Sequence, residues 1–146
     1  MTRTLLTFSV FTIFITSISC KKSNNSTGGN GDKTVAGLSG TYKLTAQTLS
    51  TDGVVVDEYA TYDACEKDDI AKLNTDLTYQ TVDAGVVCDP PGNTNGNWNL
   101  SSNSDSLIID GSSQFIESWN GKTLVLTEKA SSSGHTLIAT TTLVKQ

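Results

Sequence analysis

The sequence predicts an all-β fold, an antiparallel meander of about eight strands that closes into a barrel or a half-open barrel. Apolar and polar residues alternate with a period of two through most of the chain after Gly40. Short turn sequences rich in Asn, Asp and Gly separate these segments at regular intervals. Helical periodicity is almost absent, so a doubly wound α/β fold is not expected.

The first 19 residues have the pattern of a secretory signal peptide. Arg3 gives a short positive start, and an uncharged run rich in Leu, Phe, Ile and Val follows up to Ser19. The alternative is a membrane-spanning helix, which needs about 20 consecutive apolar residues. This run is shorter and is interrupted by Thr and Ser. We therefore predict that residues 1–19 are removed.

The four residues "SISC", which end at Cys20, resemble the bacterial lipobox, in which a peptidase cuts just before a cysteine that carries a diacylglyceryl thioether. The polar tract that follows is too poor in apolar residues to offset the entropy of ordering. We predict lipidation at Cys20, a flexible linker over residues 20–36, and anchoring to a membrane of the bacterial cell envelope, the outer membrane being the expected one. The alternative is a signal peptide with an incidental cysteine.

Residues 37–146 are predicted to form one β domain. The chain has a net charge of -5, and its ten Lys and Arg residues are scattered. Binding to nucleic acid needs a basic patch or stripe, so we expect no nucleic-acid partner.

The first half of this domain contains three alternating segments. One face of each carries Tyr42, Leu44 and Ala46; Leu77, Tyr79 and Thr81; and Trp98 and Leu100. The second half is a meander, with strands predicted at 106–110, 114–119, 123–129 and 136–144. Segment 62–72 breaks the alternation and predicts a short helical turn whose end already belongs to the next strand.

Turn sequences lie between these strands, at "TDG" 51–53, "NTD" 74–76, "NSD" 103–105 and "NG" 120–121. The last is the strongest hairpin signal, because a type I′ turn needs positive φ at both central residues. A β-sandwich, the alternative to the barrel, would require longer crossover connections. The only long loop that the sequence predicts is 83–97.

Six segments together resemble the lipocalin-like domain of bacterial surface and periplasmic lipoproteins: "GTYKL" at 40–44, "CEKDDI" at 65–70, "LNTDLTY" at 73–79, "VCDP" at 87–90, "GNWNL" at 96–100 and "GKTLVLTEK" at 121–129. The resemblance implies an eight-stranded calyx and no defined ligand. Tyr42 stands where the family often has Trp, and by analogy it should close the barrel floor. Leu77 stands where Gly is usual, which predicts a different turn type there.

Cys65 and Cys88 are predicted to form a structural disulfide, because a protein beyond the inner membrane meets an oxidising environment. A redox switch and a metal-binding thiolate pair are the alternatives. No third ligand stands at the spacing that zinc sites use.

No cofactor, metal or catalytic group is predicted. The acidic residues of segment 63–69, with Asp89, could bind calcium, but they lack the alternating Asp pattern of a calcium loop and are better explained as an acidic turn that caps a short helix. His135 is the only histidine, so every histidine-based triad would depend on one residue at a loop edge. We therefore expect a protein that is not an enzyme.

Aromatic residues on the strands define the tentative ligand-binding set: Tyr42, Tyr79, Trp98, Phe115 and Trp119. The alternation turns Phe115 and Trp119 to the same, inward face. These rings either fill a small barrel or line a cavity, since eight strands leave room for one small ligand. Two functions follow: a carrier or sensor of a small hydrophobic molecule, and a structural or protein-interaction module with a filled barrel. No protein partner can be named.

Overall fold

The structure is a computed structural model that describes residues 31–132 and 134–146. It confirms the all-β prediction. The nine strands are β1 Gly40–Thr51, β2 Val54–Asp57, β3 Ile70–Leu73, β4 Thr78–Val82, β5 Thr94–Leu100, β6 Ser106–Ile109, β7 Ser112–Trp119, β8 Thr123–Ser132 and β9 His135–Lys145. The helical elements are α1 Val35–Leu38, a 3₁₀ turn at Tyr59–Thr61, and α2 Ala64–Lys67.

Eight of the strands close into an antiparallel barrel. The sheet order is β2-β1-β3-β4-β5-β6-β7-β8-β9, and β1 also pairs with β9 from Tyr42↔Lys145 to Thr51↔Leu137. This last pairing joins β1 to β9, so the eight barrel strands form a closed sheet without an open edge. The barrel, rather than the β-sandwich, is therefore the fold.

Strand β2 is an addition to the barrel that the sequence did not predict. It pairs with the C-terminal part of β1, from Thr48↔Asp57 to Thr51↔Val54. The N-terminal part of the same edge of β1 pairs with β3. All four residues of β2 are exposed, so it adds little to the core.

One end of the barrel is filled by a hydrophobic core, which we call the floor. Its buried residues are Leu38, Tyr42, Leu73, Trp98, Leu107, Ile116, Trp119, Leu124 and Leu126. Helix α1 lies under this end, and the Tyr42 hydroxyl donates to the carbonyl of Leu38. The Lys145 Nζ lies over the rings of Tyr42 and Trp119, at 5.9 and 5.7 Å from their respective centroids. Tyr42 thus closes the floor, as predicted.

Residues 31–36, which the sequence assigned to the predicted linker 20–36, contact the domain in the structure. The Gly31 N–H donates to the carbonyl of Trp119 at 2.8 Å, and the Trp119 indole N–H donates to the carbonyl of Asp32 at 3.2 Å. Thr34 caps α1 by accepting from the Gly37 N–H. The polar composition of this segment could not predict these contacts, because they are made by backbone atoms and by Trp119, which is distant in sequence. The packed part of the chain therefore includes residues 31–36.

Two turn predictions need correction. Leu77 has φ 69°, so this hairpin keeps the left-handed conformation that a glycine would adopt, and the expected change of turn type is wrong. At "NG", only Gly121 has positive φ, at 89°, so the turn is not type I′. The Asn120 side chain instead accepts the N–H groups of Lys122 and Thr123. Asp110 and Gly111 both have positive φ and form the tight β6–β7 turn.

The helical prediction for segment 62–72 is confirmed in part. Helix α2 occupies Ala64–Lys67, and β3 already begins at Ile70, as the sequence suggested. The Glu66 carboxylate accepts from the Asp63 N–H at 2.8 Å, which helps to fix the first turn of this short helix.

Candidate functional site

The end of the barrel opposite the floor, which we call the mouth, collects the longest connections. Strand pairing Lys43↔Ile70 and Ile70↔Val82 places the start of β3 and the end of β4 there. Residues 83–93, which we call the cover loop, follow β4 and lead back to β5. The 3₁₀ turn and α2 connect β2 to β3 at the same end. Loops at one end of a rigid barrel are a frequent location for binding sites.

A cavity of about 390 Å³ lies at this end, and we call it the mouth cavity. Its barrel side is formed by Leu44, Ala71, Thr81 and Leu143. These side chains share the inward face of the barrel, since Leu44 pairs with Leu143, and Ala71 pairs with both Tyr42 and Thr81. Its outer side is formed by Tyr62, Glu66, Asp69, Cys88, Pro90 and Gly92. The cavity therefore lies between the barrel interior and the connections that cover it.

Three aspartates hold the cover loop by accepting its backbone N–H groups. Asp83 accepts from Cys88 and Gly92, the second at 2.9 Å. Asp68 accepts from Val86 at 2.8 Å, and Asp69 accepts from Ala84 at 3.2 Å. Charged acceptors make stronger hydrogen bonds than neutral ones. These carboxylates therefore give an otherwise irregular loop a defined position over the cavity.

The predicted disulfide is confirmed. Cys65 and Cys88 are bonded, with an S–S distance of 2.02 Å and a Cα–Cα distance of 5.3 Å. The bond ties α2 to the cover loop, and Cys88 contributes to the cavity wall. The disulfide thus fixes two separate segments of the cavity's outer side.

The acidic residues near the mouth have a structural role that the sequence did not reveal. Within residues 31–132 and 134–146, no group of three or more His, Cys, Asp or Glu side chains is placed to hold a metal ion. Burial raises the pKa of Asp69, and the neighbouring Asp83, Asp68 and Glu66 raise it further, against a lowering by the hydrogen bond from Ala84. Their expected role, an acidic turn that caps a helix, holds for Asp63 and Glu66, which form the capping box of α2. Asp68, Asp69 and Asp83 instead hold the cover loop.

Three of the five aromatic residues in the tentative ligand set belong to the floor. Tyr42, Trp98 and Trp119 have relative exposures of 0, 1 and 2%. Burial raises the pKa of Tyr42 to about 12. The Trp98 indole N–H donates to the carbonyl of Asn74 at 2.9 Å. These rings fill the barrel beneath the mouth cavity and do not form its walls.

Phe115 lies on the outer face of the barrel, so the prediction that it shares the inward face of Trp119 is wrong. Its side chain is 47% exposed, whereas Ile116 and Trp119 are buried. The pairing of β7 with β8 skips one residue between Ile116 and Ser118. This β-bulge at Glu117 reverses the alternation. Phe115 instead lines a depression of about 360 Å³ on the outer surface, together with Glu117 and Lys129.

Tyr79, the fifth aromatic residue, is half-buried and packs against the floor. Its hydroxyl donates to the Asp110 carboxylate at 2.9 Å, and this hydrogen bond is the main cause of its raised pKa. Asp110 also accepts from the Asn97 N–H. Tyr79 therefore links β4 to the β6–β7 turn.

Polar side chains occupy part of the barrel interior above the floor. Gln47, Gln114, Glu128 and Thr141 line a space of about 80 Å³ beside the floor residue Leu126. Gln47 accepts a hydrogen bond from the Tyr62 hydroxyl at 2.7 Å, and Tyr62 also lines the mouth cavity. The interior is thus apolar at the floor and mixed toward the mouth.

His135 is at the start of β9, where it contacts Asp52 in the β1–β2 turn. Asp52 also accepts from the Thr136 N–H at 2.9 Å. Both side chains are largely exposed, and neither lines the mouth cavity. The pair joins two turns at the barrel end.

Leu44, Leu143 and Pro90 belong to the mouth cavity but were missed as candidate site residues, and Asp69 was considered only as a calcium ligand. Leu44 could have been predicted, because it alternates with polar residues on the same face of β1 as Tyr42. The others come together only through strand pairing and the disulfide. Cys20 and the predicted signal peptide lie outside the described residues. Among the helices that the structure describes, none has the length and hydrophobicity to cross a membrane.

Comparison with known proteins gives one match. A family model described as a lipocalin-like domain matches residues 38–128, which is more than half of the chain and runs from the last residue of α1 into β8. Neither the curated proteins nor the solved structures gave a significant match.

Proposed function

Because the chain belongs to the lipocalin-like domain family, we propose that it is a lipid-anchored protein of the bacterial cell envelope, whose barrel binds a small and mainly apolar molecule in the mouth cavity. The anchor is the lipid on Cys20, and the membrane is the outer membrane. The protein does not catalyse a reaction. The fold is typically a binding fold rather than an enzyme fold.

The mouth cavity is the observation that carries the binding proposal. At about 390 Å³, its volume lies in the range of pockets for small molecules. Leu44, Ala71 and Leu143 give it an apolar inner side, and the floor beneath them is a packed core. A ligand would therefore rest above the floor, against these three residues.

Filling the cavity tests this proposal directly. The full chain is titrated with a solvatochromic apolar dye, and the Ala71→Phe variant, whose new ring would occupy the cavity, is titrated in parallel. We expect the dye to bind the wild-type protein at micromolar concentration and to bind Ala71→Phe at least about tenfold more weakly. Circular dichroism checks that the variant retains its β structure.

Phe115→Ala is the matched control, because Phe115 lines the depression on the outer surface. It should leave dye binding unchanged. If Phe115→Ala removes the binding and Ala71→Phe does not, the dye occupies the outer surface and the mouth cavity is not the site. Absence of dye binding to the wild-type protein would contradict the proposal as well.

A structural or protein-interaction module is the second candidate function. The side chains of Val54, Val55 and Val56 are 70, 64 and 50% exposed, and within the described part of the chain β2 pairs only with β1. Exposed apolar residues on an edge strand are suited to pairing with another chain. This candidate is favoured if the cavity binds no dye and if Val55→Lys removes an association that the wild-type protein shows in cross-linking on membranes.

A further inference from the structure

The charged groups that line the mouth cavity are all acidic. Glu66 and Asp69 are its only ionisable carboxylates, and no Lys, Arg or His lies among its lining residues. The rest of the lining is apolar or neutral. A neutral ligand could donate at most an ordinary hydrogen bond to the two carboxylates, a cation would add charge attraction, and an anion would be repelled.

The position of the Asp69 carboxylate leaves one oxygen for a ligand. Oδ1 accepts the N–H of Ala84, which fixes the orientation of the group. Oδ2 lies beside Gly92, where an added Cβ would meet it at 3.7 Å, and both residues line the cavity. Among the residues that the structure describes, no donor hydrogen-bonds to Oδ2.

Burial and neighbouring negative charges both disfavour the ionised form of Asp69. A cation bound beside Oδ2 would relieve both effects, because it would supply the opposite charge that the site lacks. Glu66 is close enough to contribute to this electrostatic field.

The surroundings of the mouth extend the same negative field. The segments that cover this end, residues 52–69 and 83–93, contain one lysine, Lys67, and the following carboxylates: Asp52, Asp57, Glu58, Asp63, Glu66, Asp68, Asp69, Asp83 and Asp89. Lys67 donates to the carbonyl of Ala60 and lies over the ring of Tyr59, so it is engaged away from the cavity. Clustered charge of one sign at a cleft attracts ligands of the opposite sign.

From this geometry we propose that the mouth cavity selects a small organic cation, an amine carried on an apolar body, with the ammonium group at Asp69 and Glu66 and the apolar body against Leu44, Ala71 and Leu143. The Tyr62 ring, which also lines the cavity, adds an aromatic face of the kind that attracts cations. This inference depends on the proposed binding function and specifies the ligand class for the same cavity.

Three probes of similar shape and different charge test the inference. The full chain is titrated at neutral pH with 2-phenylethylamine, 2-phenylethanol and 3-phenylpropanoate, and binding is followed by NMR shifts of Tyr62, Leu44 and Leu143. We expect the amine to bind about tenfold more tightly than the alcohol, as a charged hydrogen bond would provide. The carboxylate should bind most weakly, and added salt should reduce the preference for the amine.

Variants that remove a carboxylate charge test whether the preference for the amine arises in the mouth cavity. Asp69→Asn and Glu66→Gln each keep a side-chain oxygen that can accept the N–H of Ala84 and of Asp63, respectively. The cover loop and α2 should therefore retain their positions. The double variant should bind the amine and the alcohol with nearly equal affinity. Asp89→Asn removes one charge from the same end without changing the cavity lining, and it should leave most of the preference in place.

The failures of the two proposals are distinguishable. Equal binding of amine and alcohol by the wild-type protein, with both lost in Ala71→Phe, would overturn the cation preference and retain the binding function. No binding of any probe at millimolar concentration would overturn both. If calcium alone shifts the NMR signals of the cavity residues and competes with the amine, the ligand of the cavity would be a metal ion. That result would overturn the proposal of an organic cation.

Discussion

The bulge residue Glu117 decides which side chains of β7 face the barrel interior, as Phe115 and Trp119 show. They are four positions apart in β7, which by strict alternation would place them on one face. Glu117 has no partner in β8, and this bulge shifts the phase by one residue. Ile116 therefore takes the inward position, and Phe115 faces outward.

The cost of truncating each ring tests this assignment. Trp119→Ala removes a ring that is 2% exposed in the floor, so we expect the free energy of unfolding to fall by about 3–5 kcal/mol. Phe115→Ala changes an outward side chain, and we expect a loss within about 0.5 kcal/mol. Urea unfolding monitored by circular dichroism measures both. A comparable loss for the two variants would mean that Phe115 is packed inside.

The contact between Asp52 and His135 gives a second prediction for single residues. The hydrogen bond with His135, and then that from Thr136, lowers the pKa of Asp52 below its ordinary value. A lowered pKa in the folded protein means that ionised Asp52 stabilises the fold above its unfolded-state pKa. This contribution is lost as the pH falls through the folded-state pKa.

An NMR titration of the side-chain carboxyl carbons measures this pKa. In His135→Ala the pKa of Asp52 should move back toward its ordinary value. Asp76, whose pKa is lowered by hydrogen bonds from Thr78, serves as the internal control and should not change. An unchanged Asp52 titration in His135→Ala would contradict the contact.

Among the elements, the cover loop shows how irregular backbone is held in place. Asp68, Asp69 and Asp83 accept its N–H groups, and Cys88 ties it covalently to α2. An irregular loop lacks the strand partners that pair backbone groups in the barrel, and carboxylates supply partners here. The outer side of the mouth cavity depends on these contacts.

Removing the disulfide should loosen this element. The bond closes a loop with a sequence separation of 23, and its loss should lower the free energy of unfolding by about 3 kcal/mol in the chain-entropy description. Cys88→Ala tests this in denaturant unfolding. Cys65→Ala and the double variant should lose the same amount, since each lacks the same bond. Two alkylatable thiols in the folded, unreduced protein would contradict the assignment.

At the scale of the whole molecule, the first described residues and the mouth cavity lie at opposite ends of the barrel. Gly31 and Asp32 contact Trp119 at the floor, and the mouth cavity is beneath the cover loop. The part of the chain that the structure describes therefore begins at the floor.

Replacing the predicted lipidation site tests the anchor. We expect Cys20→Ser to move the protein from the membrane fraction to the soluble fraction of its host, because the polar tract after it offers no apolar surface to a bilayer. Cell fractionation followed by detection of the protein measures this. Cys88→Ala, expressed in parallel, should stay with the membranes. Sedimentation of Cys20→Ser with membranes at high salt would exclude a lipid anchor on Cys20.

The sequence by itself determined the β class, most of the strands, the disulfide partners and the floor role of Tyr42. The first three depend on local alternation, on turn residues, or on a small number of cysteines, and the floor role of Tyr42 was implied by the family resemblance. The family resemblance agrees with the match over residues 38–128. Signals of this kind are carried by neighbouring residues, so they can be read without knowing which strands pair.

The tertiary structure alone decided the outward direction of Phe115, the extra strand β2 and the composition of the mouth cavity. A bulge is defined by the partner strand, so the alternation along β7 could not reveal it. Leu44, Ala71 and Leu143 are far apart in sequence and meet only because β1 pairs with both β3 and β9. Asp69 and Asp68 accept N–H groups of residues that are 15 and 18 positions away, which the pairing of β3 with β4 brings near them.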